Sequence, residues 1–168
     1  MLLGFSEVGT LFKIGDQIIY PMQGAAVIDS IEEKVIQGIT QQYYIINMPS
    51  SNMKLMIPQG NVSNTKIRLV ENHEYLENVL DDFTNGLPDD SLNWKQKYDL
   101  NLKKLKSAEL LAGAQVVRDL TLQSKEKPLN PSEKEMLDTA KRMFVGELSM
   151  IKGISQLEAI ELIDSALK

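Results

Sequence analysis

DQIIYPMQGAAVIDSIEEKVI, residues 16–36, decides how the first third of the chain folds. Two extended segments, Gln17–Tyr20 and Ala25–Ile36, stand on either side of a turn bracketed by Pro21 and Gly24. Proline fixes φ and glycine permits positive φ, so the pair marks a reversal of the chain. The second segment carries Val27, Ser30 and Ile31, then polar Glu32–Lys34, then apolar Val35 and Ile36. Gln37–Gly38 offers a hairpin turn into TQQYYIINM (40–48), rich in the β-branched and aromatic residues that suit a pleated surface. PSSN (49–52) turns the chain again. MKLMIP (53–58) alternates as a short strand ended by Pro58, and a last strand falls in Lys66–Val70. Four or five short strands with tight turns and no helix predict a small Tudor- or SH3-like barrel.

From Asn72 the apolar period becomes helical. NHEYLENVLDDF puts Tyr75, Leu76, Val79, Leu80 and Phe83 on one stripe. TNGLPDDS breaks the chain at Gly86 and Pro88. Trp94, Tyr98, Leu102 and Leu105 follow at helical spacing. Ser107 is placed to cap the next helix, whose inward residues are Leu110, Leu111, Ala114, Val117 and Leu120. KEKPL ends that helix. Asn130, Pro131 and Glu133 form a strong start for another, with Asn130 as N-cap and Glu133 closing a capping box. Gly153 stops it, and SQLE (155–158) opens a last helix carrying Ile160, Ile163 and Leu167. The expected architecture is α+β in two domains: an extension over 1–10, a β-barrel over 11–70, and an all-α domain of five helices over 71–168.

Composition narrows the function classes. With 43% hydrophobic and 24% charged residues, the chain reads as globular and not disordered. No run approaches the length of a membrane span, and the start lacks the basic opening of a secretory signal. With no cysteine, disulfides, thiol nucleophiles and cysteine-ligated zinc are excluded, in keeping with a cytoplasmic location. A net charge of -5 argues against a free-standing nucleic-acid binder. The distribution is more informative: residues 71–91 hold carboxylates and no lysine or arginine, whereas residues 92–106 hold Lys95, Lys97, Lys103, Lys104 and Lys106 against Asp99 alone. The positive field is local, of a kind that touches DNA when another partner delivers it.

The only tryptophan, Trp94, sits in that basic block. Periodicity places it near the apolar stripe, as a core residue. Its place in the first turn after a proline-containing linker lets it project past the core instead. Apolar wedges beside basic residues are how minor-groove proteins pry at base steps while neutralising phosphates. Evidence for catalysis is thin. His73 and Glu77, with Glu74 or Asp81, have the spacing to share a metal, but the plain reading is a solvated acidic helix face. No phosphate-binding or nucleophile-elbow motif occurs, so neither cofactor nor small-molecule substrate is expected.

At three places the residues resemble the CarD/CdnL family, bacterial regulators that bind RNA polymerase. FKIGDQIIYPMQGAAVIDSIEEK (12–34) is similar to the family's opening through Phe12, Lys13, Gly15, Asp16, Tyr20, Pro21, Gly24, Ile28, Ile31 and Glu32. NWKQKYDLNLKKLKSAELLAGAQVVRDL (93–120) resembles its C-terminal signature through Asn93, Trp94, Tyr98, Asn101, Ser107, Val117 and Arg118, among others. LNPSEKEMLDTAKRMFVGEL (129–148) is similar to a third segment. Transcription-repair coupling factors share a domain related to the first block; the second block points to the CarD type.

The resemblance implies that the N-terminal domain docks on the polymerase β-subunit through an edge strand, with Lys34, Lys54, Leu55, Met56, Ile57 and Pro58 as contacts. It implies that the helical domain lies on promoter DNA without reading its sequence, with Trp94 as a minor-groove wedge that stabilises the open complex and Lys95, Lys97, Lys103 and Lys104 around it. The chain departs from the pattern at Gln96 and Asp99, where basic residues are common in the family, and at Met56, where some members carry an arginine. A protein–protein adaptor on polymerase, with Trp94 buried and no DNA contact, is the alternative.

Overall fold

The computed structural model describes residues 11–49 and 51–167; the expected extension over 1–10 lies outside them. Five antiparallel strands, β1 (Gln17–Tyr20), β2 (Gly24–Ile36), β3 (Ile39–Met48), β4 (Met53–Pro58) and β5 (Arg68–Leu69), form one sheet in the order β4-β3-β2-β1-β5. The sheet folds around a core of Phe12, Ile18, Ala26, Ile28, Tyr44, Ile46, Met48, Ile57, Val62 and Ile67. β4 and β5 do not pair with each other, so the barrel is open along that seam. Its turns use the expected chemistry. Gln37 and Gly38 both have positive φ, 53° and 77°, as a two-residue hairpin of this twist requires. Phe12 closes the bottom: its N–H donates to the Tyr44 hydroxyl at 3.1 Å, and the two rings meet edge to face.

Two features of this half differ from the sequence reading. A single 3₁₀ helix, Gln59–Asn64, follows β4 where no helix was expected, and it drops Val62 into the barrel core. In β2 the pairing with β3 slips between Ile28 and Ser30. Before it Ala26 and Ile28 face the core and Val27 does not; the bulge then resets the alternation, so that Ile31 is the next residue to pack against that core.

Five helices follow: α1 (His73–Asn85), α2 (Trp94–Lys106), α3 (Leu110–Glu126), α4 (Pro131–Lys152) and α5 (Gln156–Ala166). Asn130 and Glu133 close a capping box at α4, and Ser155 and Glu158 close another at α5. Gly153 ends α4 in the left-handed conformation at φ 65°. Ser107 does not serve as the N-cap of α3. It ends α2, its hydroxyl donating to the Lys104 carbonyl at 2.6 Å, and Glu109 takes the N-cap position. The reason is Ala108, whose φ of 61° makes a corner between the two helices.

Two cores meet back to back across β1, which is buried on both faces at Ile18 and Ile19. Ile18 (0% exposed) points into the barrel, and Ile19 (1% exposed) packs with Leu76, Phe83, Phe144 and the rest of the helical core. Gly146 on α4 passes so near β2 that a Cβ there would lie 2.9 Å from the Cβ of Ala25. A partly buried ion pair fastens the contact, its carboxylate 2% and its guanidinium side chain 22% exposed. Arg68 on β5 donates through Nη1 and Nη2 to the two carboxylate oxygens of Glu147 on α4, both at 2.7 Å. Its Nε donates to the Ala108 carbonyl at 2.8 Å, and Glu147 also accepts the Glu71 N–H at 2.9 Å. Burial works against the charge on Arg68, but the bonds and charge of Glu147 outweigh it, so the guanidinium pKa is raised.

Removing one member of such a pair strands the other. Glu147→Ala should destabilise the fold by about 3–5 kcal/mol in urea unfolding, and the Arg68→Met, Glu147→Leu double variant should recover much of the loss. Gly146→Ala gains helix propensity of about 1 kcal/mol but collides with Ala25, and should lower stability by about 1–3 kcal/mol. Adding Ala25→Gly to it should restore the lost midpoint.

Candidate nucleic-acid and polymerase interfaces

The start of α2 is built by two devices. Asn93 accepts the Gln96 N–H at 2.9 Å through its side chain, and the Gln96 side chain accepts the Asn93 N–H at 3.0 Å. This reciprocal capping box gives Gln96 a local role at a position the resemblance marks as a departure. Its signal, N-x-x-Q, is present in the sequence at 93–96, where the charge pattern overshadows it. The second device is Arg118 of α3, a buried arginine that bonds to Asp119 at 2.8 Å, to the Asp82 carbonyl and the Leu87 carbonyl at 3.3 Å each, and to the Asp82 carboxylate at 3.4 Å. It ties the end of α1 and the linker at Leu87 to the bundle. Asp89, in the same linker, is held below the usual carboxylate range because the Ser91 hydroxyl and N–H donate to it, with Lys97 adding its charge.

Trp94 is the first residue of α2 and is 58% exposed, which corrects the reading of it as a core residue. Helical phase alone misleads here, because at the first helical position the adjoining turn that would cover the ring is missing. The indole is nevertheless held. One side stacks on Tyr98, with ring centroids 5.9 Å apart and planes 23° apart, and Nε1–H donates to Glu133 of α4 at 3.2 Å.

The lysines divide around it. Lys95 and Lys103 are exposed. Lys97 lies 3.8 Å from Asp90, and Lys97 and Lys104 line a groove of about 570 Å³ with Pro88, Leu100, Arg118 and Leu122. Lys103, Lys104 and Lys106 occupy the last turn of α2, where cations also favour the helix dipole.

The other predicted set lies mainly on β4, the long free edge of the sheet; the opposite edge, β5, has two residues. Lys54 and Met56 are exposed, Leu55 is partly covered, and Ile57 is buried in the barrel. Lys54 lies 3.5 Å from Asp29. Pro58 ends the strand and lacks an N–H. Lys34 is elsewhere. It pairs with Gln41 on the hairpin arm, two positions along β3 from Tyr43, the partner of Pro58, and six from Asn47, the partner of Lys54. Beside it, Glu32 is kept below the usual carboxylate range by the Ser30 hydroxyl and then by Lys34, which lies 3.4 Å away.

The His73–Glu77 pair leads nowhere similar. Glu77 meets Lys152 at 3.3 Å, and among the described residues no three His, Cys, Asp or Glu side chains are grouped to hold a metal ion. Among them, too, no helix is long and apolar enough to cross a membrane.

Residues 12–70 match the family described as the CarD-like/TRCF RID domain, and residues 78–164 match the CarD C-terminal domain. The chain belongs to the CarD/CdnL family. It is 47% identical over 146 residues to a Bacillus subtilis (strain 168) protein named "Putative transcription factor YdeB", covering 87% of this chain and 95% of that one. As a CarD-like transcription factor, the chain falls in a class of regulators and not of enzymes. The two matches meet the two halves of the fold, and the CarD C-terminal match spans the helices that hold Trp94.

If the Asn93–Gln96 box sets the first turn of α2, Asn93→Ala should cost about 1 kcal/mol of stability. The expected local mark is faster hydrogen exchange at the Gln96 and Lys97 amides and greater iodide quenching of the indole, with the β-strand amides unchanged.

Proposed function

We propose that this CarD-like factor binds RNA polymerase through its N-terminal half, residues 11–70, and promoter DNA through residues 71–168. The free edge of β4 adds to a strand of the polymerase β-subunit, the main chain supplying hydrogen bonds and Lys54 and Met56 the choice of partner. The exposed start of α2 then meets the upstream edge of the transcription bubble. Trp94 enters the minor groove between base steps, while Lys95 and Lys103 neutralise phosphates. A wedge there opposes reannealing and lengthens the life of the open complex.

The observation that carries this reading is the exposure of Trp94. A lone tryptophan that served only to stabilise the fold would be covered; this one presents more than half its surface beside Lys95. The weak and divided positive charge is compatible with the reading, because tethering to polymerase supplies a high effective concentration and intrinsic DNA affinity need not be large.

The test is the lifetime of the open complex formed by bacterial RNA polymerase on a ribosomal-type promoter, with the wild-type chain and with Trp94→Ala. Wild type should lengthen it. Trp94→Ala should bind polymerase equally well and lose most of the effect, a drop of about tenfold if the wedge contributes as much as one stacked base. Equal lifetimes for both proteins, with polymerase binding intact, would leave an adaptor without DNA contact.

A further inference from the structure

We infer that Glu133 is a positioning residue for Trp94: its carboxylate fixes the indole in the orientation that enters DNA. This rests on the wedge reading given above. Glu133 is 5% exposed and lies in the first turn of α4, 39 residues from the ring it holds. Its two oxygens do different things. Oε1 accepts the Asn130 N–H at 3.0 Å and closes the capping box, which is all that a capping glutamate requires. Oε2 accepts from Trp94 Nε1 at 3.2 Å and from Gln123 Nε2 of α3 at 2.7 Å. A tryptophan 58% exposed has other rotamers that would turn its N–H to water, so desolvation does not compel this bond. Its consequence is orientational.

A tryptophan at the first turn of a helix has rotamers open to solvent, and an interfacial side chain loses freedom when it binds. Here Tyr98 fixes the plane of the ring and Glu133 fixes its rotation, leaving the other face of the ring for a base step. The ordering cost is met before DNA arrives. Burial of the carboxylate matters as well: a solvent-facing anion at this place would repel phosphates, whereas Glu133 turns its charge inward onto three N–H donors. The arrangement links the wedge to α3 and α4 together, so the indole is referenced to the bundle and not to the end of one helix.

Glu133→Gln separates the roles. The glutamine carbonyl can keep the Asn130 bond and so the cap. Its amide then faces the N–H groups of Trp94 and Gln123, which need acceptors. Because the chain has one tryptophan, its indole N–H gives a single resonance in a ¹⁵N–¹H spectrum. In Glu133→Gln that resonance should shift and exchange faster with water, with far-UV circular dichroism unchanged. The open-complex lifetime should fall roughly three- to tenfold, the size of one side chain's lost preorganisation. In a Trp94→Phe background, which keeps a ring but no N–H, Glu133→Gln should have no further effect on lifetime.

An unchanged indole resonance overturns the inference. So does a lifetime equal to wild type while Trp94→Ala still shortens it, in which case the wedge stands and the positioning role falls. A longer lifetime in Glu133→Gln would mean that Glu133 restrains the ring away from DNA, which also overturns it. The same loss in the Trp94→Phe background would place the effect in the α4 cap. If Trp94→Ala itself leaves the lifetime unchanged, the wedge reading has failed first and the positioning role goes with it.

Discussion

The partly buried pair between Arg68 and Glu147 is the constraint on which the arrangement of this protein depends. A two-residue strand at the edge of a small sheet is a weak place from which to hang five helices. Arg68 makes it sufficient by reaching both the carboxylate of α4 and the carbonyl at the α2–α3 corner, and Glu147 in turn accepts the N–H of Glu71, just ahead of α1. An arginine suits this because its planar fork fits a carboxylate in two bonds and still has Nε to spare. Ile19 supplies the apolar complement one strand away. Together they set the angle between the barrel and the bundle, and therefore the direction in which β4 and Trp94 face.

What the sequence made legible was local. The turn at Gln37–Gly38, the capping boxes at Asn130 and Ser155 and the stop at Gly153 are each decided within four residues, and each appears where its chemistry asks for it. The alternating run 53–58 gives β4 to the residue. What escaped was decided at a distance or by a break in register. The bulge after Ile28 depends on how β3 pairs with β2, and no local pattern announces it. Val62 enters the barrel core from a 3₁₀ turn, against partners as distant in sequence as Phe12 and Tyr44. Phase alone puts Trp94 in the core because a helical wheel has no ends, whereas a real helix does.

The candidate site divides in the same way. The identities of Trp94 and the lysines were readable from one block of sequence, and so was β4. Their supports were not. Glu133 and Gln123 reach Trp94 from other helices, and Arg118 reaches back to Asp82 and Leu87. The resemblance to known relatives puts Lys34 and Met56 in one interface, and the pairing register sets Lys34 two positions past the Pro58 end of β4. Spacing along a chain carries the chemistry of a helix cap or a turn. It does not carry the partners that tertiary packing assigns.

The open seam of the barrel has a consequence for the protein's behaviour toward itself. A strand with a free edge is as available to a second copy of the same chain as to any other strand. β4 carries Met53 and Met56 exposed, which favours sticking. It is also short, has a charged Lys54 near one end, and finishes at a proline that cannot donate. Those are the devices by which edge strands are kept from indiscriminate pairing. The same six residues thus combine a free edge with blunted ends, features that oppose edge-to-edge addition of further copies.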